Sequence, residues 1–183
     1  NLERFVNTYP ADKNIAYAHY LMAMIFYEQI LDEKKDINPL LKSKKKIIYF
    51  LDNFQESEYS LDLRFKMDLI NNQLASKELY IAKYYIETQK WIPAINRLKN
   101  IVKDYSETVF IEEALHRLVE VYYRIGLIEE AKATATILGY NYNSSTWYEQ
   151  SYIILNKTYK IKKKKEKTKN DGLIKKTIKK ILN

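Results

Sequence analysis

The side chains best suited to acid–base chemistry near neutral pH are two histidines, His19 and His116, and the sequence contains no cysteine. Neither histidine has a nucleophile or metal ligand at a suitable spacing along the chain. The three glycines are isolated from one another, which argues against a glycine-rich phosphate-binding loop. We therefore predict a protein that is not an enzyme and uses no metal ion or cofactor, with both histidines as ordinary surface or groove residues.

Two pairs of adjacent carboxylates, Glu112–Glu113 and Glu129–Glu130, are the remaining candidates for catalysis. Each pair falls in the first turn of a predicted helix, where exposed backbone amides favour negative charge. Helix stabilisation accounts for both pairs without acid–base chemistry.

Several tyrosines are candidates for binding another polypeptide rather than for catalysis. Tyr17, Tyr20, Met24 and Tyr27 recur at steps of three and four residues, so they share one face of a predicted helix. A tyrosine can lay its ring against an extended peptide and hydrogen-bond through its hydroxyl. The alternative is that most of these side chains pack in the protein core.

The elements that must position these residues are helical. Residues 78–131 contain amphipathic segments joined by short links, which predicts antiparallel helical hairpins. Two hairpins are copies: Tyr85 precedes Ala94 by nine residues and Tyr122 precedes Ala131 by nine, with a shift of 37. Tetratricopeptide repeats follow a similar pattern with a period of about 34 residues. We predict an all-α, TPR-like solenoid of antiparallel helical hairpins that forms a right-handed superhelix.

An aromatic residue followed three positions later by a helix-capping residue recurs along the chain, and we call each instance a seam. The seams are Tyr9/Asp12, Phe54/Ser57, Tyr105/Thr108 and Tyr142/Ser145. Each predicts the end of one hairpin and the capped start of the next, with the aromatic ring filling the junction. A small residue (Ser43, Ala94 or Ala131) lies eleven positions before three of these aromatics.

These boundaries predict the helices. Because residues 58–89 contain neither glycine nor proline, we expect one long central helix, or two nearly collinear ones, in that stretch. The predicted helices are 1–8, 14–31, 39–54, 58–89, 92–105, 109–125, 128–139 and 145–158.

The net charge of +8 is unevenly distributed, because residues 156–183 carry +10 and the remainder carries −2. We divide the chain into a solenoid at 1–158 and a lysine-rich tail at 159–183 with a possible short amphipathic helix. Either the tail lacks a fixed structure, or it contacts anionic lipid or an acidic partner. The sequence lacks an initiator methionine, a signal peptide and a membrane-spanning apolar run. We expect it to begin within a repeat of a longer precursor.

Three stretches carry a resemblance to a known family: ELYIAKYYIETQKWIPAINRLKNIVKDYSET from residue 78, EEALHRLVEVYYRIGLIEEA from residue 112, and NYNSSTWY at 141–148. Together with the first two seams they resemble the BamD family (YfiO or ComL), TPR lipoproteins of the bacterial outer-membrane β-barrel assembly machinery. The likeness covers residues 1–155. The sequence departs from the family in lacking proline at three seams (Gln55, Ser106 and Asn143) and a lipidated N-terminal cysteine.

The resemblance implies a non-catalytic scaffold at the periplasmic face of the outer membrane, held by an N-terminal lipid anchor absent from this sequence. Its expected partners are a BamA-type insertase, other lipoproteins of the complex and unfolded outer-membrane proteins. The family's motif places the insertase contact at Tyr123 and Arg124. The client-peptide pocket of the N-terminal repeats would then include Tyr17, Tyr20 and Tyr27.

Two alternatives remain at this point. One is a different TPR-type adaptor, cytosolic or linked to secretion. The other is a nucleic-acid binder that uses the lysine-rich tail, since clustered lysines attract phosphates. The tail has no arginine and the rest of the chain is slightly acidic, so we expect no nucleic-acid partner.

Overall fold

The computed structural model describes residues 1–29 and 37–156, and within these ranges all of its regular secondary structure is α-helical. The helices are α1 (Leu2–Thr8), α2 (Ile15–Tyr27), α3 (Asn38–Asn53), α4 (Ser60–Glu87), α5 (Trp91–Asp104), α6 (Ile111–Arg124), α7 (Ile128–Asn141) and α8 (Thr146–Leu155). The predicted all-α class and all eight predicted helices are confirmed, and the ends agree to within two residues except at the ends of α2 and α8. The ends predicted there, at residues 31 and 158, lie outside the described residues. The predicted tail at 159–183 lies outside the described residues.

The helices pack as consecutive hairpins. α2 packs on α3, α4 on α5 and α6 on α7, and the second helix of each hairpin also packs on the first helix of the next. α1 contacts α2 in the same way that α3 contacts α4, so it takes the place of a second helix. α8 packs on both α6 and α7. This is the helical-repeat architecture predicted from the sequence.

The four seams share one backbone geometry. Each aromatic residue is the C-cap of its helix, and its carbonyl accepts a 3.1 Å hydrogen bond from the amide three residues later. The predicted N-cap is confirmed only at Ser145, whose hydroxyl accepts from the amides of Trp147 at 3.1 Å and Tyr148 at 3.3 Å. Elsewhere a further turn intervenes before the next helix, and the Thr108 hydroxyl donates to the Tyr105 carbonyl at 2.7 Å instead.

The seam aromatics differ in burial. Phe54, Tyr105 and Tyr142 are partly buried against the core, and Tyr105 contacts both the α2–α3–α4 cluster and the α4–α7 cluster. Tyr9 is 59% exposed, with its ring centroid 5.8 Å from that of Phe5. The prediction that Tyr9 fills a junction is therefore wrong for the described residues. α1 packs mainly on α2, and no described helix precedes it to cover this ring.

The turns after α4 and α6 also share one geometry, as the 37-residue shift requires. Gln89 has φ 57° and Gly126 has φ 85°, so both occupy the left-handed region. The amides that follow close the turns by donating to the Tyr85 carbonyl at 2.8 Å and the Tyr122 carbonyl at 2.9 Å. This arrangement ends helices through a left-handed residue, which glycine adopts without steric cost.

The small residues predicted to admit a neighbouring helix are confirmed as buried. Ser43, Ala94 and Ala131 are each 0% exposed. The Ser43 hydroxyl donates to the Ala23 carbonyl at 3.2 Å, which joins α3 to α2 and satisfies a buried polar group.

α4 is the long central helix, at 28 residues or about 42 Å. In its first half Leu63, Ile70 and Leu74 belong to a core cluster shared with α2 and α3. In its second half Ala75, Leu79 and Ala82 belong to the next cluster, shared with α5, α6 and α7. The helix therefore buries different faces in its two halves.

Among residues 1–29 and 37–156, no helix combines the length and apolar character that crossing a membrane requires.

Candidate partner-binding surfaces

A tyrosine cluster forms where α2 meets the start of α4. The ring centroid of Tyr20 lies 6.3 Å from that of Tyr17 and 4.7 Å from that of Tyr59, and Tyr17 lies 5.6 Å from Tyr59. Tyr17 is 46% exposed, whereas Tyr20 and Tyr59 are partly buried. The cluster therefore presents one open ring backed by two others.

Polar contacts fix this cluster to α4. The Tyr20 hydroxyl donates to Asp62 Oδ2 at 3.0 Å, and Lys66 Nζ donates to Asp62 Oδ1 at 2.6 Å. The hydrogen bond from Lys66 lowers the pKa of Asp62, whereas burial and the bond to Asp62 raise the pKa of Tyr20. Tyr20 thus uses its hydroxyl within the protein, and Tyr17 is the member best placed to meet a ligand.

Tyr27 lies near the other end of this network. Lys66 Nζ lies 5.4 Å from its ring centroid, a cation–π distance, and the ring is partly buried against the α2–α3–α4 core. The structure thus brings Tyr17 and Tyr20 together and links Tyr27 to them through Lys66. Sequence reasoning missed Tyr59, although its position two residues after the Ser57 seam puts it beside the preceding hairpin.

α6 is buried on most of its surface and exposes one stripe of alternating charge. The members of this stripe are Glu113, Arg117, Glu120 and Arg124. Arg117 donates to Glu120 at 2.9 Å and to Glu113 at 3.4 Å, and Glu113 also pairs with Lys83 of α4 at 2.7 Å. The stripe is therefore held largely by its own ion pairs.

Arg124 is the most accessible charge of the stripe. Its side chain is 54% exposed, and Nη2 donates to Glu120 at 3.3 Å. This long, exposed bond leaves a guanidinium that can rotate to face a carboxylate on another surface. Its neighbour Tyr123 is partly buried against the core cluster of α4–α7. Sequence reasoning places both at the end of α6, and the structure confirms that location.

Arg117 and Trp147 form a contact that sequence reasoning missed. The Arg117 guanidinium carbon lies 5.7 Å from the Trp147 ring centroid, and Trp147 is partly buried. The separation of 30 positions along the chain gave no signal for this contact, because contact between α6 and α8 depends on how α8 docks.

The two histidines are packing residues, contrary to their prediction as ordinary surface or groove side chains. His116 is 4% exposed, and its Nδ1 lies 2.9 Å from Ser151 Oγ, which itself donates to the Trp147 carbonyl at 2.9 Å. With its hydrogen donated to this carbonyl, Ser151 Oγ can accept a hydrogen bond from His116 when Nδ1 carries the imidazole proton, so the serine links the histidine to α8. Burial lowers the pKa of His116.

His19 is partly buried between aromatic rings. Its ring centroid lies 5.0 Å from that of Tyr49 and 5.4 Å from that of Phe54, and burial lowers its pKa. Each histidine therefore contributes to the packing between two helices, His116 of α6 against α8 and His19 of α2 against α3. In residues 1–29 and 37–156 the acidic, histidine and cysteine side chains form no group arranged to hold a metal ion.

The C-terminal end of the described chain carries an open groove of about 580 Å³ between α7 and α8. Gly139 and Tyr140 line it from α7, and Tyr148, Tyr152 and Leu155 line it from α8. Tyr140 is 88% exposed. A β-carbon at Gly139 would lie 2.6 Å from the Tyr148 ring, so glycine lets α8 approach α7 closely here.

Comparison with known proteins places these features in a family context. Residues 1–137 match the family model YfiO, described as an outer membrane lipoprotein. A Rickettsia prowazekii protein named outer membrane protein assembly factor BamD is 39% identical over 151 residues, covering 82% of this chain and 60% of that protein. The protein of the same name from Caulobacter vibrioides is 37% identical over 154 residues, covering 84% of this chain and 50% of its own length.

A more distant relative of the same name, from Neisseria meningitidis, is 24% identical over 161 residues, covering 82% of this chain and 60% of that protein. The chain thus spans about half to three-fifths of the length of these relatives.

Proposed function

The chain belongs to the YfiO family of outer membrane lipoproteins, and from this premise we propose that it is a non-catalytic scaffold in outer-membrane protein assembly. It associates with the outer membrane on the periplasmic side, through a lipid anchor at the N-terminus of the mature protein. The observation that carries the proposal is the stack of hairpins, which presents an open tyrosine cluster near one end and an accessible arginine towards the other.

The end of α6 is the proposed contact with a BamA-type insertase. Arg124 supports this role because its exposed guanidinium has only a long bond to Glu120 to give up. Tyr123 packs against the core and so fixes the direction in which the helix end presents Arg124. Arginine suits an interface anchor because its planar fork can bind a carboxylate through two parallel hydrogen bonds.

The tyrosine cluster is the proposed site for unfolded outer-membrane proteins. Tyr17 offers an open ring for flat contact with an aromatic or apolar side chain of an extended segment. Tyr20 and Tyr27 hold the surface through Asp62 and Lys66, so they act by shaping the site. Other lipoproteins of the assembly complex are further proposed partners of the stack.

Charge reversal tests the insertase contact. Arg124→Glu is compared with Arg64→Glu, which makes the same change at an exposed position of α4. Binding to the periplasmic region of the insertase is measured by isothermal titration calorimetry, with helicity checked by circular dichroism. We expect Arg124→Glu to weaken binding by about 30-fold or more, the loss of an interface anchor worth about 2 kcal/mol, and Arg64→Glu to have little effect. Equal affinities for the two variants would refute the assignment.

A peptide-binding measurement tests the tyrosine cluster separately. Tyr17→Ala is compared with Tyr80→Ala, an exposed tyrosine on the second half of α4. Fluorescence anisotropy follows a labelled peptide from the C-terminal strand of an outer-membrane β-barrel protein. Only Tyr17→Ala should weaken binding, because it removes the open ring of the cluster. An unchanged affinity would exclude the cluster as the client site and leave the insertase contact untouched.

A further inference from the structure

The first half of α4 extends beyond the hairpin that packs on its second half. The amide of Val109, just before α6, donates to Asn72 Oδ1 at 3.2 Å, and Lys83 of α4 pairs with Glu113 of α6 at 2.7 Å. These two contacts place the start of α6 beside α4 from the midpoint of α4 onwards. Residues 60–71 therefore project past the start of α6 by about 18 Å, at a rise of 1.5 Å per residue.

The projecting half of α4 exposes an apolar stripe that continues the surface facing α6. At 100° per residue, Leu61, Phe65 and Leu69 fall within an arc of about 80° that also contains both α4 residues in contact with α6. Leu61 is 80% exposed, Phe65 62% and Leu69 39%. Val109, where α6 begins, is also 80% exposed. These four residues form an open apolar surface, which we call the α4 shelf.

A polar pocket of about 400 Å³ lies at the inner end of the shelf, where the turn between α5 and α6 meets α4. Asp68, Asp104 and Glu107 line it. Asn71 lines it as well, and its Oδ1 atom is buried without a hydrogen-bond donor from the described residues. Burial lowers the pKa of the nearby Lys44, and Asp104 opposes that shift, so Lys44 offsets part of the negative charge at Asp104. The pocket therefore favours cationic groups that donate hydrogen bonds.

We propose that the α4 shelf binds a helix of a partner protein that has one apolar face and lysine or arginine residues at the end over the pocket. The apolar face packs on Leu61, Phe65 and Leu69. The basic residues reach the carboxylates of Asp68 and Glu107. This surface is additional to the contacts proposed at Tyr17 of α2 and at the far end of α6, so the proposed function stands or falls separately.

The form of the shelf favours a helical occupant. Apolar side chains spaced four residues apart form a ridge, and such ridges pack into the grooves of a neighbouring helix at an interaxial distance of about 8–10 Å. α6 already occupies the continuation of the same surface. A bound helix of about 12 residues would match the projecting part of α4 in length. Recognition of this kind is the helix-in-groove mode, in which a few apolar anchors supply the affinity.

The charge beside the shelf selects among possible occupants. Neither Asp68 nor Glu107 forms an ion pair with another described residue. Carboxylates at this position repel the anionic headgroups of a lipid surface and the phosphates of a nucleic acid. A basic helix end instead gains attraction there, which fixes its orientation on the shelf.

A designed helical peptide provides the probe, and fluorescence anisotropy measures its binding to the full chain. The peptide has about 14 residues, with leucines on one face and lysines in its last turn. A matched peptide of the same charge carries serines in place of the leucines. We expect the leucine peptide to bind at least about tenfold more tightly, because only this peptide buries apolar surface on the shelf. Equal affinities, or no binding of the leucine peptide, would overturn the proposal.

Matched variants of the chain, all at exposed positions, locate the bound peptide. Phe65→Ser should weaken its binding by about tenfold or more, whereas Ile137→Ser, on α7, should leave it unchanged. Glu107→Lys should weaken binding by about fivefold or more, whereas Glu87→Lys, at the end of α4, should not. Circular dichroism checks that all four variants keep their helicity. An equal response within either pair would overturn the proposal.

Two further measurements distinguish the other occupants. A dimer in sedimentation velocity that Phe65→Ser abolishes would overturn the proposal in favour of a second copy. Flotation of the full chain with phosphatidylethanolamine–phosphatidylglycerol vesicles that Phe65→Ser abolishes would overturn it in favour of a lipid surface. A monomeric chain whose peptide binding depends on both Phe65 and Glu107 supports it.

Discussion

Ala131 offers a direct test of how the hairpins pack. It is 0% exposed in the core cluster shared by α4–α7, whereas Ala133, two residues further along the same helix, is exposed. Substitution of either by leucine adds three carbon atoms and barely changes helix propensity. The two variants therefore differ in burial alone.

The expected magnitudes follow from that difference. If space were available, burying the added atoms at position 131 would stabilise the protein by about 2 kcal/mol. Because the site is fully enclosed, helix displacement should dominate, and overpacking of this kind costs about 1–3 kcal/mol. Ala133→Leu should change the free energy of unfolding by no more than about 0.5 kcal/mol. For a domain of this size Ala131→Leu should lower Tm by roughly 2–12 °C.

Urea unfolding followed by circular dichroism at 222 nm measures both variants. We expect a lower midpoint with an unchanged slope for Ala131→Leu, which indicates lost stability rather than a changed unfolded state. A midpoint for Ala131→Leu equal to that of Ala133→Leu would refute the role assigned to the small residue. A higher midpoint for Ala131→Leu would show that unfilled volume surrounds residue 131 in solution, contrary to the full burial seen in the structure.

Three further predictions concern the helix ends and the last hairpin. Ser145→Ala should lower the free energy of unfolding by about 0.5–2 kcal/mol, because the amides of two residues lose their capping oxygen. Ser144→Ala, at the exposed neighbouring position, should leave the stability unchanged, and thermal melts compare the two variants. Gln89 and Gly126 both have a left-handed backbone conformation, which costs a residue with a side chain about 1 kcal/mol more than glycine. Gln89→Gly should therefore raise the free energy of unfolding by about that amount and Gly126→Gln should lower it, as measured from the urea midpoints. Shifts of the same sign would contradict this. Burial holds the pKa of His116 below its ordinary value, so protonation of this histidine destabilises its packing against α8. Protection of α8 against hydrogen exchange should therefore be complete above about pH 6.5 and should fall as the pH drops below that value. The variant His116→Gln should abolish this fall.

Sequence reasoning located the hairpins because local patterns carry that information. The seam motifs identify Phe54, Tyr105 and Tyr142 as helix ends, and the burial of Ala94 and Ala131 follows from their position on the second helix. These features depend on residues within a single hairpin or its immediate neighbour.

Contacts between the first helices of successive hairpins could not be predicted in the same way. His116 lies off the main apolar stripe of α6, yet it is buried because α6 is packed by α5, α7 and α8 together. The meeting of Tyr20 with Tyr59, and of Arg117 with Trp147, likewise depends on the rotation between hairpins. A helical period gives the direction of a side chain on its own helix, but it does not specify which element lies opposite.

The two-sided burial of α4 sets this protein apart from an array of independent units. In an ordinary solenoid, disorder at one end can stop at the next boundary, since each unit is coupled only through its interface. Here a continuous helix supplies core residues to both neighbouring clusters, so melting its midpoint would open the two together. A pull on the hairpin that carries Tyr17 should therefore be transmitted through a rigid rod to the hairpin that carries Arg124. This mechanical continuity would keep the tyrosine cluster and Arg124 in a fixed relation to each other.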